Sequence, residues 1–265
     1  MARTIAVTNQ KGGVGKTTTT INLGASLAAT RRRVLVVDLD PQGNTTTGSG
    51  VDKSQLQHSV YDLLMGTFEA ARVRISRPDC GYDLIPANDD VTAAEVGLVQ
   101  EPHKDQRLRA ALSPLQAEYD YILIDCPPAL SMLTVNALVA AQGVIIPMQC
   151  EYYALEGLTA LLSTIERIRA QLNPALVIDG LLRTMFDPRS SLTRDVSEQL
   201  ETHFPDQLFS TPIPRNVRLA EAPSHGLPAL QYDRTSRGAV AYLALAGELL
   251  RRGDGGPGDA TEVGA

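Results

Sequence analysis

Residues 11–18 read Lys-Gly-Gly-Val-Gly-Lys-Thr-Thr. With Gly12, Gly13 and Gly15 the backbone can curl until the N–H groups around Val14 face one concavity, a nest suited to phosphate oxygens. Lys16 would bring a point charge to the β- and γ-phosphates, the Thr17 hydroxyl would sit on Mg²⁺, and Thr18 would close the loop. The flanking residues suit this chemistry. Ile5-Ala6-Val7 is a short apolar strand, and Ile21, Gly24, Ala25 and Ala28 recur at helical spacing, so the positive end of a helix dipole would face the same anion.

The octet departs from the common G-x-x-x-x-G-K-[ST] pattern. Position 10, where the first glycine would fall, is Gln10, and Lys11 stands at the front of the loop. The chain has four lysines (Lys11, Lys16, Lys53, Lys104) against twenty arginines. Two of the four lie in this one loop, which argues against Lys11 being an ordinary solvated charge.

Carboxylates follow two further apolar runs. Val34-Leu35-Val36-Val37 stops at Asp38, with Asp40-Pro41-Gln42-Gly43 next, and Tyr121-Ile122-Leu123-Ile124 stops at Asp125, followed by Cys126-Pro127-Pro128. A carboxylate at the end of an apolar strand, facing a phosphate loop, is placed to bind magnesium or its water. Asp125 fits that position. Asp38 and Asp40, two apart on an extended segment, point the same way, so both can reach the site. The paired prolines would make a stiff switch loop.

The elements that must hold these residues are legible from apolar runs. Val144-Ile145-Ile146 and 175–182 add strands, and helices are expected at about 16–30, 104–117, 131–141, 155–172, 191–203 and 236–251. Apolar strands alternating with helices predict an α/β fold: a single-domain P-loop nucleotide-binding unit with a mostly parallel twisted sheet and helices on both faces. In such sheets ligands gather at the carboxyl ends of the strands, where the loop and both aspartate-ended runs converge. The domain is expected to span 1–252, with 253–265 a disordered acidic, glycine-rich tail.

At 265 residues, with 43% hydrophobic and 20% charged residues, the composition is that of an ordinary globular protein. No apolar stretch is long enough to span a bilayer, and the start has no signal-peptide core. Cys80, Cys126 and Cys150 lack C-x-x-C spacing, and neither they nor the four histidines show metal-ligand spacing. The net charge is −6, yet residues 183–252 carry nine arginines against eight acids, the one stretch with a positive balance.

The early lysine in the loop resembles the deviant Walker A motif of the ParA/MinD ATPases. The resemblance runs over about residues 3–251. It includes Cys150-Glu151-Tyr152-Tyr153-Ala154-Leu155-Glu156-Gly157 and Pro212-Ile213-Pro214-Arg215-Asn216-Val217-Arg218, segments similar to the Soj-like, chromosomal type of ParA. It implies ATP and Mg²⁺ as cofactors and a homodimer when ATP is bound, with Lys11 reaching the nucleotide of the other subunit. It further implies that Asp40 orients or deprotonates the attacking water, that Asp38 supports the metal, and that Pro214 and Asn216 flank the adenine. Catalysis then falls to Asp40, Lys11 and Lys16.

Three function classes share that chemistry. A membrane-cycling regulator of the MinD kind needs a terminal amphipathic basic helix, which the acidic tail lacks. An iron–sulfur reductase needs thiolates in matching loops, and Cys126 alone is so placed. The DNA-partitioning class fits best. Its expected surface is an arginine patch, Arg189 and Arg218 first by resemblance, with Arg215 and Arg237, binding duplex phosphates without sequence preference. A ParB-type centromere-binding partner, slow unassisted hydrolysis and a cytoplasmic, nucleoid-associated location follow from the resemblance. With the phosphate loop starting so close to Met1, no separate N-terminal operator-reading domain is expected.

Overall fold

Seven strands form one sheet: β1 (Arg3–Val7), β2 (Val34–Asp38), β3 (Ile75–Arg77), β4 (Tyr82–Ile85), β5 (Tyr121–Asp125), β6 (Gly143–Gln149) and β7 (Val177–Thr184), in the order β3-β4-β2-β5-β1-β6-β7. All neighbours are parallel except the β3–β4 pair at one edge. The computed structural model describes residues 1–152 and 154–254, so the expected tail at 253–265 lies almost wholly outside the described residues.

The strands alternate between two cores. Ala6, Leu35, Val37, Ile122, Ile124, Val144 and Ile146 belong to one buried cluster, and Ile5, Val34, Val36, Tyr121, Leu123 and Ile145 to the other. A period-two pattern with both sides apolar requires helices on both faces. The second face is covered by α1 (Lys16–Ala29) and later helices. On the first lie α3 (Val60–Met65), α4 (Ala70–Val73), α5 (Val91–Leu98) and α6 (Arg107–Leu112), while the short α2 (Asn44–Gly48) packs against α1, Gly48 beside Ile21, and sends the Thr45 hydroxyl to Asp125. α7 (Met132–Ala140), α8 (Ala154–Gln171) and α9 (Ser191–His203) complete that layer. α10 (Val217–Glu221), α11 (Ala229–Tyr232) and α12 (Arg237–Asp254) join α1.

The α/β fold and the parallel sheet are as expected. Three local differences have physical causes. The helix expected at 104–117 is α6 followed by a 3₁₀ turn at Ser113–Ala117, because Pro114 removes a backbone donor. The last strand runs two residues beyond expectation because Arg183, a polar residue at the end of the apolar run, is buried with its two terminal nitrogens bonded to Ser197, Glu201 and the Phe209 carbonyl. Finally, the segment between β2 and β5 holds the antiparallel edge and four short helices that were not foreseen.

Candidate functional site: a phosphate loop at the carboxyl edge of the sheet

The loop between β1 and α1 turns on two glycines in left-handed conformation, Gly13 (φ 75°) and Gly15 (φ 90°). A side chain at either would strain the loop, and Gly15 caps α1, so the free N–H groups of the helix start face the loop's concavity. Thr184 at the end of β7 supports the turn, its hydroxyl donating to the Val14 carbonyl at 2.7 Å. Gly12 has open space beside it.

Lys16 is buried, and burial pulls its ammonium below the ordinary lysine value, with Asp125 the main opposing influence. Its Nζ donates back to the Lys11 carbonyl at 3.2 Å. Lys11 lies on the outer side of the loop, half exposed, and pairs with Glu151. The two lysines therefore occupy different environments: one lines the nest, and the other faces outward.

Asp38 and Asp125 stand side by side on β2 and β5, partners in the parallel register. Neither is solvent-exposed. Asp125 accepts Thr17 Oγ1 and Thr45 Oγ1, each at 2.7 Å, on the same oxygen. Asp38 accepts the Thr46 N–H at 2.8 Å and the Thr46 hydroxyl at 2.7 Å, and Thr46 in turn accepts the Ala87 N–H at 2.8 Å. Burial pushes Asp38 up to about 8, helped by the charge of Asp125, and burial pushes Asp125 up to about 6. Two adjacent buried carboxylates leave a negative charge that a cation would relieve.

Asp40 leaves the strand on the same side. It is 8% exposed, and its Oδ1 accepts the Gln42 N–H at 2.9 Å in an Asx turn that starts the loop into α2. Its charge acts on both Lys16 and Asp125, which places it within the same electrostatic neighbourhood. The two aspartates, left undivided by the sequence, thus differ: Asp38 is sealed by Thr46, while Asp40 is held only through one oxygen.

Beside the loop a cavity of about 190 Å³ opens between Gly15, Thr18, Thr184, Met185, Ile213, Pro214, Asn216 and Tyr242. Pro214 is positioned by a bridge to Phe186, and Asn216 caps α10 by accepting the Arg218 N–H at 2.9 Å. Tyr242 closes the floor, hydrogen-bonded to Thr19 at 3.0 Å. The structure brings the residues 11–18, Asp38, Asp40, Asp125, Pro214 and Asn216 to one edge of the sheet.

The four arginines are not gathered in one place: Arg237 lines a neighbouring groove with Phe186, Pro188, Pro212 and Pro214, whereas Arg215 lines the cavity beside the phosphate loop. Arg189 is 89% exposed and engages Asp187 with two hydrogen bonds at 2.9 and 2.8 Å, holding that carboxyl down to about 2. Arg218 sits between Glu221 (2.7 Å) and Asp233 (3.2 Å). Arg215 and Arg237 are exposed. The three cysteines are buried, and burial raises each thiol. Among the described residues no three His, Cys, Asp or Glu side chains group as a metal cluster, and no helix is long and apolar enough to cross a membrane.

Sequence reasoning missed Thr45, Thr46, Thr184 and Tyr242. The run Asn44-Thr45-Thr46-Thr47 after Gly43 was the one available signal, since hydroxyls next to strand-end aspartates are ready donors. Thr184 and Tyr242 are too distant in sequence to be read.

A strand–loop–helix with its nest at the carboxyl edge of a parallel sheet, flanked by two strand-end aspartates, defines a P-loop nucleotide-binding protein. Residues 2–178 match a family described as AAA domain. The chain is 49% identical to the sporulation initiation inhibitor protein Soj of Bacillus subtilis, covering 96% of this chain and all of that one. It is 50% identical to the chromosome partitioning protein ParA of Caulobacter vibrioides, covering 94% of each. Among solved structures it superposes with a TM-score of 0.85 on a Mycobacterium smegmatis protein described as cobyrinic acid a,c-diamide synthase with bound ADP and magnesium, 39% identical over 96% of both chains. The chain belongs to the ParA/Soj family of P-loop ATPases.

Proposed function

We propose that this protein is a DNA-partitioning ATPase whose ATP-bound homodimer coats duplex DNA and is released when a ParB-type partner stimulates hydrolysis. The observation that carries this reading is the separation of the two lysines. Lys16 is buried in the nest, where it serves its own nucleotide, and Lys11 faces outward, where a second copy could use it.

The phosphates of ATP lie on the N–H groups of residues 12–18, with Lys16 on the β- and γ-oxygens. Pro214 and Asn216 border the base in the cavity beside Gly15 and Thr18. Thr17, Asp125 and Asp38 hold Mg²⁺ or its waters, and the buried pair of carboxylates fits a cation. Bound there, the ion would neutralise charge on the phosphate oxygens. Asp40, free on one oxygen, orients the attacking water and takes its proton. Arg189, Arg218, Arg215 and Arg237 meet DNA phosphates. Arg189 and Arg218 now pair with the partly exposed carboxylates of Asp187, Glu221 and Asp233, and such surface pairs are weak enough for phosphates to displace. Doubling the patch in the dimer makes DNA binding depend on ATP.

An amide-forming reaction, suggested by the name of the mycobacterial relative, finds less support. Release of ammonia from glutamine needs an activated thiol, and burial raises all three thiols here.

The test is a DNA shift assay on two unrelated duplexes with ADP, ATP and a non-hydrolysable ATP analogue. Equal retardation of both duplexes with the analogue, and none with ADP, is expected. Retardation indifferent to nucleotide would refute the reading.

A further inference from the structure

The end of β6 and the residues just after it are fastened three times to the phosphate loop and the residues leading into it. Asn9 Nδ2 donates to the Pro147 carbonyl at 2.7 Å, Gln149 Nε2 reaches the Gly13 carbonyl at 3.4 Å, and the Lys11 ammonium pairs with the Glu151 carboxylate. The backbone of Lys11 is itself pinned. Its N–H donates to Asn9 Oδ1 at 3.0 Å and its carbonyl accepts Lys16 Nζ at 3.2 Å. Lys11 is therefore aimed at Glu151 of its own chain from a fixed base.

We propose that Glu151 is an intramolecular latch: in the single subunit it occupies the ammonium that the dimer needs at the partner's nucleotide. This rests on the reading above that Lys11 acts across a dimer interface. One ammonium cannot stay with a carboxylate of its own chain and also reach phosphates on another, so pairing two copies must open two latches. A triphosphate, with its greater negative charge, competes for the ammonium better than a diphosphate does. The latch thus raises the threshold for dimerisation by the same factor for both nucleotides, a threshold that ATP meets more readily than ADP.

The strength of the contact sets the size of the effect. Both side chains are about half exposed, at 47% and 50%. Exposed pairs of this kind hold weakly, so each latch shifts the open fraction by about two- to threefold. Because both copies must open, the dimer dissociation constant changes by about four- to ninefold.

Sedimentation velocity of the full chain over a concentration series, with Mg²⁺ and the non-hydrolysable ATP analogue, tests this. Glu151→Gln should dimerise more tightly than the unmodified protein by that factor, and Glu151→Ala should repeat the gain. The gain should vanish in Glu151→Gln combined with Lys11→Ala, which should behave as Lys11→Ala alone. A structural or interface role for Glu151 would weaken the dimer, so a tighter one is the signature of a latch. Equal or weaker dimerisation by Glu151→Gln, while the unmodified protein dimerises, overturns the latch alone. If the unmodified protein also stays a single subunit, the assignment of Lys11 to the partner's nucleotide fails, and the latch with it.

Discussion

Asp38 and Asp125 carry the charge that the site must manage. Burial raises Asp38 to about 8 and Asp125 to about 6, both above the ordinary carboxylate value near 4. The native state then binds more protons than the unfolded chain across that interval, and stability falls as pH rises. For the metal-free protein, the melting temperature should therefore drop steadily between about pH 5 and about pH 8. Asp38→Asn should flatten the profile, and saturating Mg²⁺ with nucleotide should do the same. A melting temperature that rises through that interval would refute the account of the pair. Two substitutions separate binding from chemistry. Lys16→Ala removes a buried charge at the phosphates and should weaken ATP binding by about 100-fold or more, read by fluorescence titration. Asp40→Ala should keep ATP yet lose about 10²- to 10⁴-fold in turnover, read by phosphate release.

At the scale of elements, β7 shows how tightly the sheet positions its neighbours. A methyl group at Gly180 would lie 2.4 Å from the Phe209 ring, which packs into the core beside Leu182. Gly180→Ala should destabilise the fold by about 1–3 kcal/mol, measured by chemical denaturation. The same scale explains what could be read beforehand. β1, β2, β5 and β6 are buried on both faces, so each is a continuous apolar run, and the strand ends point straight to Asp38 and Asp125. The stretch from 44 to 98 resisted reading because α2, α3 and α4 are four to six residues long. That is too short for a helical period to register. β3, an edge strand of three residues with no buried position, leaves no apolar run at all. The phosphate loop was legible because its spacing is local. The contacts that complete it are not: Lys11 meets Glu151 across 140 residues, and Thr19 meets Tyr242 across 223. Only the fold brings such pairs together.

For the whole molecule, the proposed function ties nucleotide, subunit pairing and DNA together. The net charge of −6 opposes DNA at long range, so the proposed function requires a local patch that pairing would double. If the four arginines of each copy all contact phosphates, the logarithm of affinity should fall against the logarithm of salt with a slope of about −7. Arg189→Glu with Arg218→Glu should abolish DNA retardation while leaving nucleotide-dependent pairing intact, and retained retardation would remove those two from the interface. The most direct measurement is light scattering of the full chain with magnesium and either ADP or the non-hydrolysable ATP analogue. With the analogue the mass should be twice the 28.5 kDa of one chain, and with ADP it should be that of one chain. The same mass with both nucleotides would contradict the account.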